Sequence, residues 1–303
     1  MIEAKNLTRR FGDMAAVDDV SFAITPGEVV GLLGHNGAGK TTIMKMLTGF
    51  LEPSSGEARV DGIDVQDDPL AVQAQMGYLP ESVPLYPELT VAEYLTHTAL
   101  LRGLKPGLCI REALEATQLN DRAFDPIHTL SRGYKQRLGV AQAILHKPRF
   151  LILDEPSNGL DPNQIQHMRS LIRRLAEEAT IILSTHIMQE VNAVCDRALI
   201  VRNGRLAVDE RLDALQSSAK AVLKTSPAAD VAAALDGLEV VADVEHQNAG
   251  IWHIGLNGEV SACVAQIAKS LVAKEISVYS LAPEVRDLEV VFAEVNEETR
   301  NAA

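Results

Sequence analysis

Apolar positions along the chain follow more than one period. Residues 2–30 alternate apolar and polar in short stretches broken by Gly12, Asp13, Pro26 and Gly27, which predicts a small antiparallel sheet joined by turns. Four later runs, 29–33, 76–79, 150–153 and 180–183, are almost continuously apolar, as expected of strands buried on both faces. The first opens into Gly34. The second stops at Pro80 and leaves Glu81 at its end, the third ends in Asp154 and Glu155, and the fourth in Ser184, Thr185 and His186. In an α/β sheet the carboxyl ends of the strands are where ligands collect.

Helical spacing prevails between 90 and 146. Residues 91–95 open one helix, 110–118 form a second and 135–146 a third, with no strong strand run between them, so 82–147 predicts a mostly helical lobe inserted into a sheet-containing core. Leu95 and Leu101 are expected on the buried stripe of the first of these helices. Elsewhere Gly49 closes a helix that follows Lys40, 53–57 turns into a strand at 58–60, and Pro162 opens a helix reaching about residue 178. Asn203-Gly204 joins 198–201 to 205–208 in a hairpin that ends the first domain near 212. Past 217 the order changes to strand 221–225, helix 228–235, strands 240–245 and 251–256, helix 260–271 and strand 276–281. That is a β-α-β-β-α-β unit of ferredoxin-like type. An amphipathic helix at 283–295 follows, with Leu288, Val291, Phe292 and Val295 on one side. The expected fold class is α/β, with a core and inserted helical lobe over 1–215 and a small α+β accessory domain over 216–303.

Composition narrows the function classes. Lysine and arginine total 28 against 41 acidic residues, a net charge of −13 that gives no support for a nucleic-acid partner. No apolar run reaches the ~18 residues of a membrane span, and the start, Met1-Ile2-Glu3-Ala4-Lys5, is not a secretory signal. Cys109, Cys195 and Cys263 are far apart without metal-ligand spacing and read as free thiols of a reducing compartment.

The stretch Gly34-His35-Asn36-Gly37-Ala38-Gly39-Lys40-Thr41-Thr42, set between an apolar run and a helix, carries the most specific chemistry. It is a phosphate-binding loop: glycines let the backbone curl round an anion, Lys40 reaches the β and γ phosphates, and the Thr41 hydroxyl can hold Mg²⁺. The first amides of the following helix point at the phosphate. Asp154 and Glu155, paired at a buried strand end, divide the remaining work. Asp154 holds Mg²⁺ through its water shell and Glu155 polarises the attacking water. Five further residues have two readings each. Phe11 is a platform for an adenine ring or an edge-strand aromatic packed on the core. Glu81 is a ligand-site carboxylate or a surface one. Ser131 and Gly133, in Leu130-Ser131-Arg132-Gly133-Tyr134 ahead of the third lobe helix, hold an anion or simply cap that helix. His186 contacts the γ-phosphate or caps the helix after it.

Taken together and in order, these motifs resemble the ATP-binding subunit of the ABC transporter family over residues 2–212. Residues 34–42 match its Walker A, 130–134 its signature, 150–155 its Walker B, 157–161 its D-loop with Asp161, and His186 its switch histidine, while Glu81 stands at its Q-loop and Phe11 at its A-loop. The tail resembles extensions of the export-type ATPases of drug, polysaccharide and gliding-motility transport. Two motifs depart from the family pattern: a carboxylate, Glu81, replaces glutamine, and the signature is LSRGY rather than LSGGQ, where Arg132 can add charge complementarity to a phosphate and Tyr134 packs. The resemblance implies an ATPase using ATP and Mg²⁺. It also implies a head-to-tail dimer with ATP between the Walker A of one copy and Ser131 and Gly133 of the other. A separate transmembrane permease would seat near 82–104, with the protein peripheral on the cytoplasmic face of the cell membrane. The rivals are a soluble ABC ATPase acting on nucleic acid or ribosomes, which usually joins two cassettes, and a metabolic phosphate-loop kinase, which has no use for the signature.

Overall fold

The computed structural model describes residues 1–227, 229–248 and 250–297. These divide into two compact units, one of Met1–Leu212 together with 295–297 and one of Asp213–Glu294.

In the first unit the alternating N-terminal pattern becomes two long antiparallel strands, β1 (Ile2–Phe11) and β2 (Met14–Ile24), which bury Ile2, Leu7, Val17, Val20 and Ile24 on one face. A continuously apolar strand, β3 (Val29–Leu33), comes next, and then helix α1 (Lys40–Leu47). Two short strands, β4 (Ser55–Val60) and β5 (Ile63–Asp64), extend the N-terminal sheet to the order β2-β1-β4-β5. Asp68 then caps α2 (Pro69–Gln75), accepting from the amide of Ala71 with proline at the first turn.

The second sheet holds β6 (Met76–Leu79), β7 (Phe150–Asp154), β8 (Thr180–Ser184), β9 (Arg197–Arg202) and β10 (Arg205–Arg211) in the order β10-β9-β3-β8-β7-β6. All its neighbours pair in parallel except β10, which returns through Asn203 and Gly204, both at positive φ. Every residue of β3, β7 and β8 is buried, which is why these strands read as unbroken apolar runs. Their carboxyl ends sit side by side.

Between β6 and β7 lie α3 (Val91–Leu101), α4 (Leu108–Ala116) and α5 (Arg132–Ile144), packed on a core of their own around Tyr94, Leu95, Ile110, Leu114 and Leu138. Leu101 does not join it. The buried stripe of α3 runs Val91, Tyr94, Leu95, Thr98 and Ala99, and Leu101 falls off that stripe and is 75% exposed. The third lobe helix also starts earlier than expected, with Ser131 as its cap, so Gly133 and Tyr134 lie within its first turn. After β7 come α6 (Pro162–Ala176) and, beyond β8, α7 (Met188–Val194).

The second unit begins within the short helix α8 (Leu212–Gln216). It contains β11 (Ser217–Thr225), α9 (Val231–Leu235), β12 (Val241–Asn248), β13 (Ile251–Leu256), α10 (Val260–Ala273) and β14 (Val278–Val285). The four strands form an antiparallel sheet in the order β12-β13-β11-β14 over an apolar core that includes Leu223, Leu235, Ile254, Ile267 and Leu271. Ala228, where the first helix was expected to begin, lies outside the described residues; Asp230 caps the helix instead. The expected helix at 283–295 needs correction. Strand β14 continues through Pro283 to Val285, and α11 (Leu288–Glu297) begins only at Leu288. β14 is an edge strand, where a proline without an N–H does not interrupt pairing.

Candidate functional site

The loop between β3 and α1 needs glycine for a local reason. Gly39 sits at φ 109°, and a Cβ there would lie 2.6 Å from the carbonyl of Ala16. Only the bare backbone can pass so close, and the passage sets Lys40 and Thr41 at the first turn of α1. Lys40 is 7% exposed and donates through Nζ to the carbonyls of Gly34 at 2.6 Å and His35 at 3.2 Å. Burial pushes its pKa below that of a free lysine, and the carboxylates of Glu155, Asp154 and Glu81 work against that shift.

Thr41 Oγ1 donates to Asp154 Oδ2 at 3.0 Å, joining the phosphate loop to the end of β7. The other oxygen of Asp154 accepts from Ser184 Oγ at 2.6 Å, so this fully buried carboxylate is held from the start of α1 and from the end of β8. Glu155 follows at φ 50°, a left-handed conformation that few side-chain-bearing residues adopt. Its amide donates to Ser184 Oγ at 3.0 Å, and its own Oε2 lies 2.8 Å from Nδ1 of His186. Phe11, Asn36, Gly37, Gly39, Lys40, Thr41, Thr42, Glu81, Asp154, Glu155 and His186 line one open cavity of about 500 Å³. Phe11 is 46% exposed there, with the Arg9 guanidinium 4.8 Å from the centre of its ring.

Ser131, Gly133 and Asp161 are not among the residues lining that cavity. Ser131 caps α5, accepting from the amide of Tyr134 at 3.4 Å. Asp161 caps α6, accepting from Gln164 N at 2.9 Å while Gln164 Oε1 accepts from Asp161 N at 3.2 Å. Arg132, expected near a phosphate, lies against Gly159 of its own chain. The sequence does not single out Ser184, which holds the Asp154 carboxylate and the backbone amide of Glu155; its place among the polar residues closing a buried strand is the available signal. Nor does the sequence single out Asn158, which lines the cavity, or Gln136, whose Nε2 donates to the carbonyl of Glu155 at 3.5 Å.

A parallel sheet with a phosphate-cradling loop after one strand and paired carboxylates after another defines a P-loop ATPase. The ABC transporter family model matches residues 17–158. The uncharacterized ABC transporter ATP-binding protein YdbJ of Bacillus subtilis (strain 168) is 32% identical over 96% of this chain and 94% of its own length. Bacitracin transport ATP-binding protein BcrA of Bacillus licheniformis is 37% identical over 71% of each chain. A solved ATP-binding subunit of an ABC transporter superposes with a TM-score of 0.65 at 34% identity, covering 71% of this chain and 91% of that one. The chain belongs to the ABC transporter family as an ATP-binding subunit that hydrolyses ATP.

Proposed function

We propose that this subunit drives an exporter, with Glu155 as the general base of ATP hydrolysis. The observation that carries the reading is the Glu155 carboxylate held by His186 at 2.8 Å, beside an Asp154–Thr41 pair and in one cavity with Lys40. Glu155 orients and deprotonates water in line with the γ-phosphate, and Lys40 neutralises charge on the β and γ phosphates. His186 steadies the base, and Phe11 offers its free face to the adenine. Thr41 and Asp154 suit Mg²⁺, which takes hard oxygen ligands and keeps several waters, and Glu81 stands ready to hold one of those waters. When bound, the ion offsets charge on the β and γ oxygens.

The site is completed by a second copy of the chain, head to tail. Ser131 and Gly133, at the start of α5, supply anion contacts that the cavity of a single copy lacks. Asp161 lies on the loop that meets the other copy. We assign residues 1–215 to the ATP-binding domain and 216–303 to a ferredoxin-like accessory domain, a reading supported by the order and antiparallel pairing of β11 to β14.

A transmembrane permease is the other partner, which would hold the protein at the cytoplasmic face of the membrane; among the described residues no helix is long and apolar enough to cross one. Its seat is a second cavity, about 680 Å³, lined by Phe50, Leu51, Tyr78, Pro84, Arg102 and others. Tyr78 looks both ways: it lines this groove, while burial, followed by the nearby charges of Asp154 and Glu81, pushes its phenol up to about 12. Within the expected seat at 82–104, less apolar surface is open than the sequence suggests. Leu89 packs on the lobe core, and Tyr86, 53% exposed, stacks near Tyr94 and His97. The export reading is supported by the likeness to a bacitracin transport ATP-binding protein.

Glu155→Gln tests the central role, since it keeps size and removes basicity. Nucleotide affinity should stay and kcat should fall about 100-fold or more; undiminished turnover would rule the role out.

A further inference from the structure

Arg132 stands where the family pattern has glycine, and its side chain turns toward its own subunit. A Cβ placed on Gly159 would lie 2.4 Å from Cζ of Arg132 and 2.5 Å from its Nη1, so the guanidinium rests on the bare backbone of Gly159. That glycine, at φ 72°, belongs to the loop running from Glu155 to α6. The next residue of α5, Gly133, meets the same segment further along: a Cβ there would lie 2.6 Å from the carboxamide of Gln164, which closes the capping box on Asp161. One turn on, buried Gln136 donates to the carbonyl of Glu155 at 3.5 Å, a carbonyl that also accepts from Asn158 N at 3.1 Å. The start of α5 is thus seated on the whole loop behind the base.

These contacts lie within one copy, yet their two ends serve different nucleotides if the site is shared. Ser131 and Gly133 face the partner's ATP, and Glu155 faces the ATP of its own subunit. We infer that Arg132 is a positioning residue. Its guanidinium latches the start of α5 to the loop at Gly159, so that drawing Ser131 onto the partner's nucleotide sets the peptide of Glu155 in the subunit's own site. The inference rests on the two-copy reading above. Its physical basis is the left-handed Glu155, since a sparsely populated backbone persists only while its neighbours hold it. Ser184 holds the amide side from β8, and Asn158 and Gln136 hold the carbonyl side. A planar guanidinium can lie flat on a peptide where the compact ammonium of lysine cannot.

The test uses the purified full chain and four variants: Arg132→Ala, Arg132→Lys, Gly159→Ala and the Arg132→Ala/Gly159→Ala double. A latch predicts that R132A lowers kcat about tenfold while KM for MgATP stays within about twofold, and that R132K restores less than half of the loss. G159A pushes the guanidinium away and should fall similarly. The double should be no worse than the poorer single, because both changes remove one contact. Unchanged kcat in R132A, or losses that multiply in the double, would overturn the latch. A raised KM with kcat kept would also overturn it, assigning the guanidinium to a phosphate. ATP-driven dimerisation of E155Q is read in parallel. If E155Q stays monomeric, the shared site fails and takes the latch with it; if E155Q dimerises while R132A hydrolyses ATP like the parent, the latch alone fails.

Discussion

Single residues in this chain are set by contacts that cross from one strand end to the next, and His146 shows how one of them responds to pH. Burial, and then the neighbouring charge of Arg102, hold its pKa at about 4 against an ordinary 6.5. Above 6.5 the ring is neutral in the folded and the unfolded chain alike. Between 6.5 and about 4 the unfolded chain takes up a proton that the folded one declines, so stability falls as pH drops through that window. Urea melts at pH 7 and pH 5 should therefore show a smaller loss for His146→Gln than for the parent, and equal losses would contradict the assignment. Sequence could not announce this residue, because the cation that opposes its charge is 44 positions away. Lys40, Thr41, Asp154 and Glu155 were legible because each follows an apolar strand in a pattern with its own chemistry. Ser184 and Gln136 were not, since their work is to hold other residues and carries no spacing of its own. The same holds for Arg132, whose partner Gly159 is visible only in three dimensions.

Elements were readable wherever burial is symmetric. Strands β3, β7 and β8 are buried along their whole length and gave unbroken apolar runs, whereas α2, with only Val72 fully buried, gave little periodicity. Its signal was the Asp68-Pro69 start, a cap followed by a proline in the first turn. Proline misled in the other direction at Pro283, where an edge strand tolerates it. Around the larger groove, Phe50 just past α1, Tyr78 on β6 and Arg102 at the end of α3 come from three elements distant in sequence. Phe50 is 66% exposed and 5.7 Å ring to ring from Tyr78, so it can be changed without opening the core. Phe50→Asp should leave the fold and ATP affinity intact while the membrane partner no longer copurifies, the usual consequence of replacing an aromatic anchor at an interface centre with a charge. Copurification at parental levels would move the seat elsewhere.

At the scale of the whole molecule, two compact units share one chain, and every residue lining the cavity beside the phosphate loop belongs to the first. Lys40, Thr41, Asp154 and Glu155 line that cavity, while Ser131, Gly133 and Asp161 stay outside it, Ser131 and Asp161 capping their own helices. The account therefore turns on whether ATP is shared between two copies. Sedimentation of the Glu155→Gln chain with and without MgATP, beside Glu155→Gln/Ser131→Arg, tests this most directly, provided nucleotide binding is measured on the same samples. The account predicts that ATP converts E155Q from monomer to dimer and that E155Q/S131R binds ATP yet remains monomeric. An ATP-loaded E155Q that stays monomeric, or a double variant that dimerises as readily as E155Q, would contradict it.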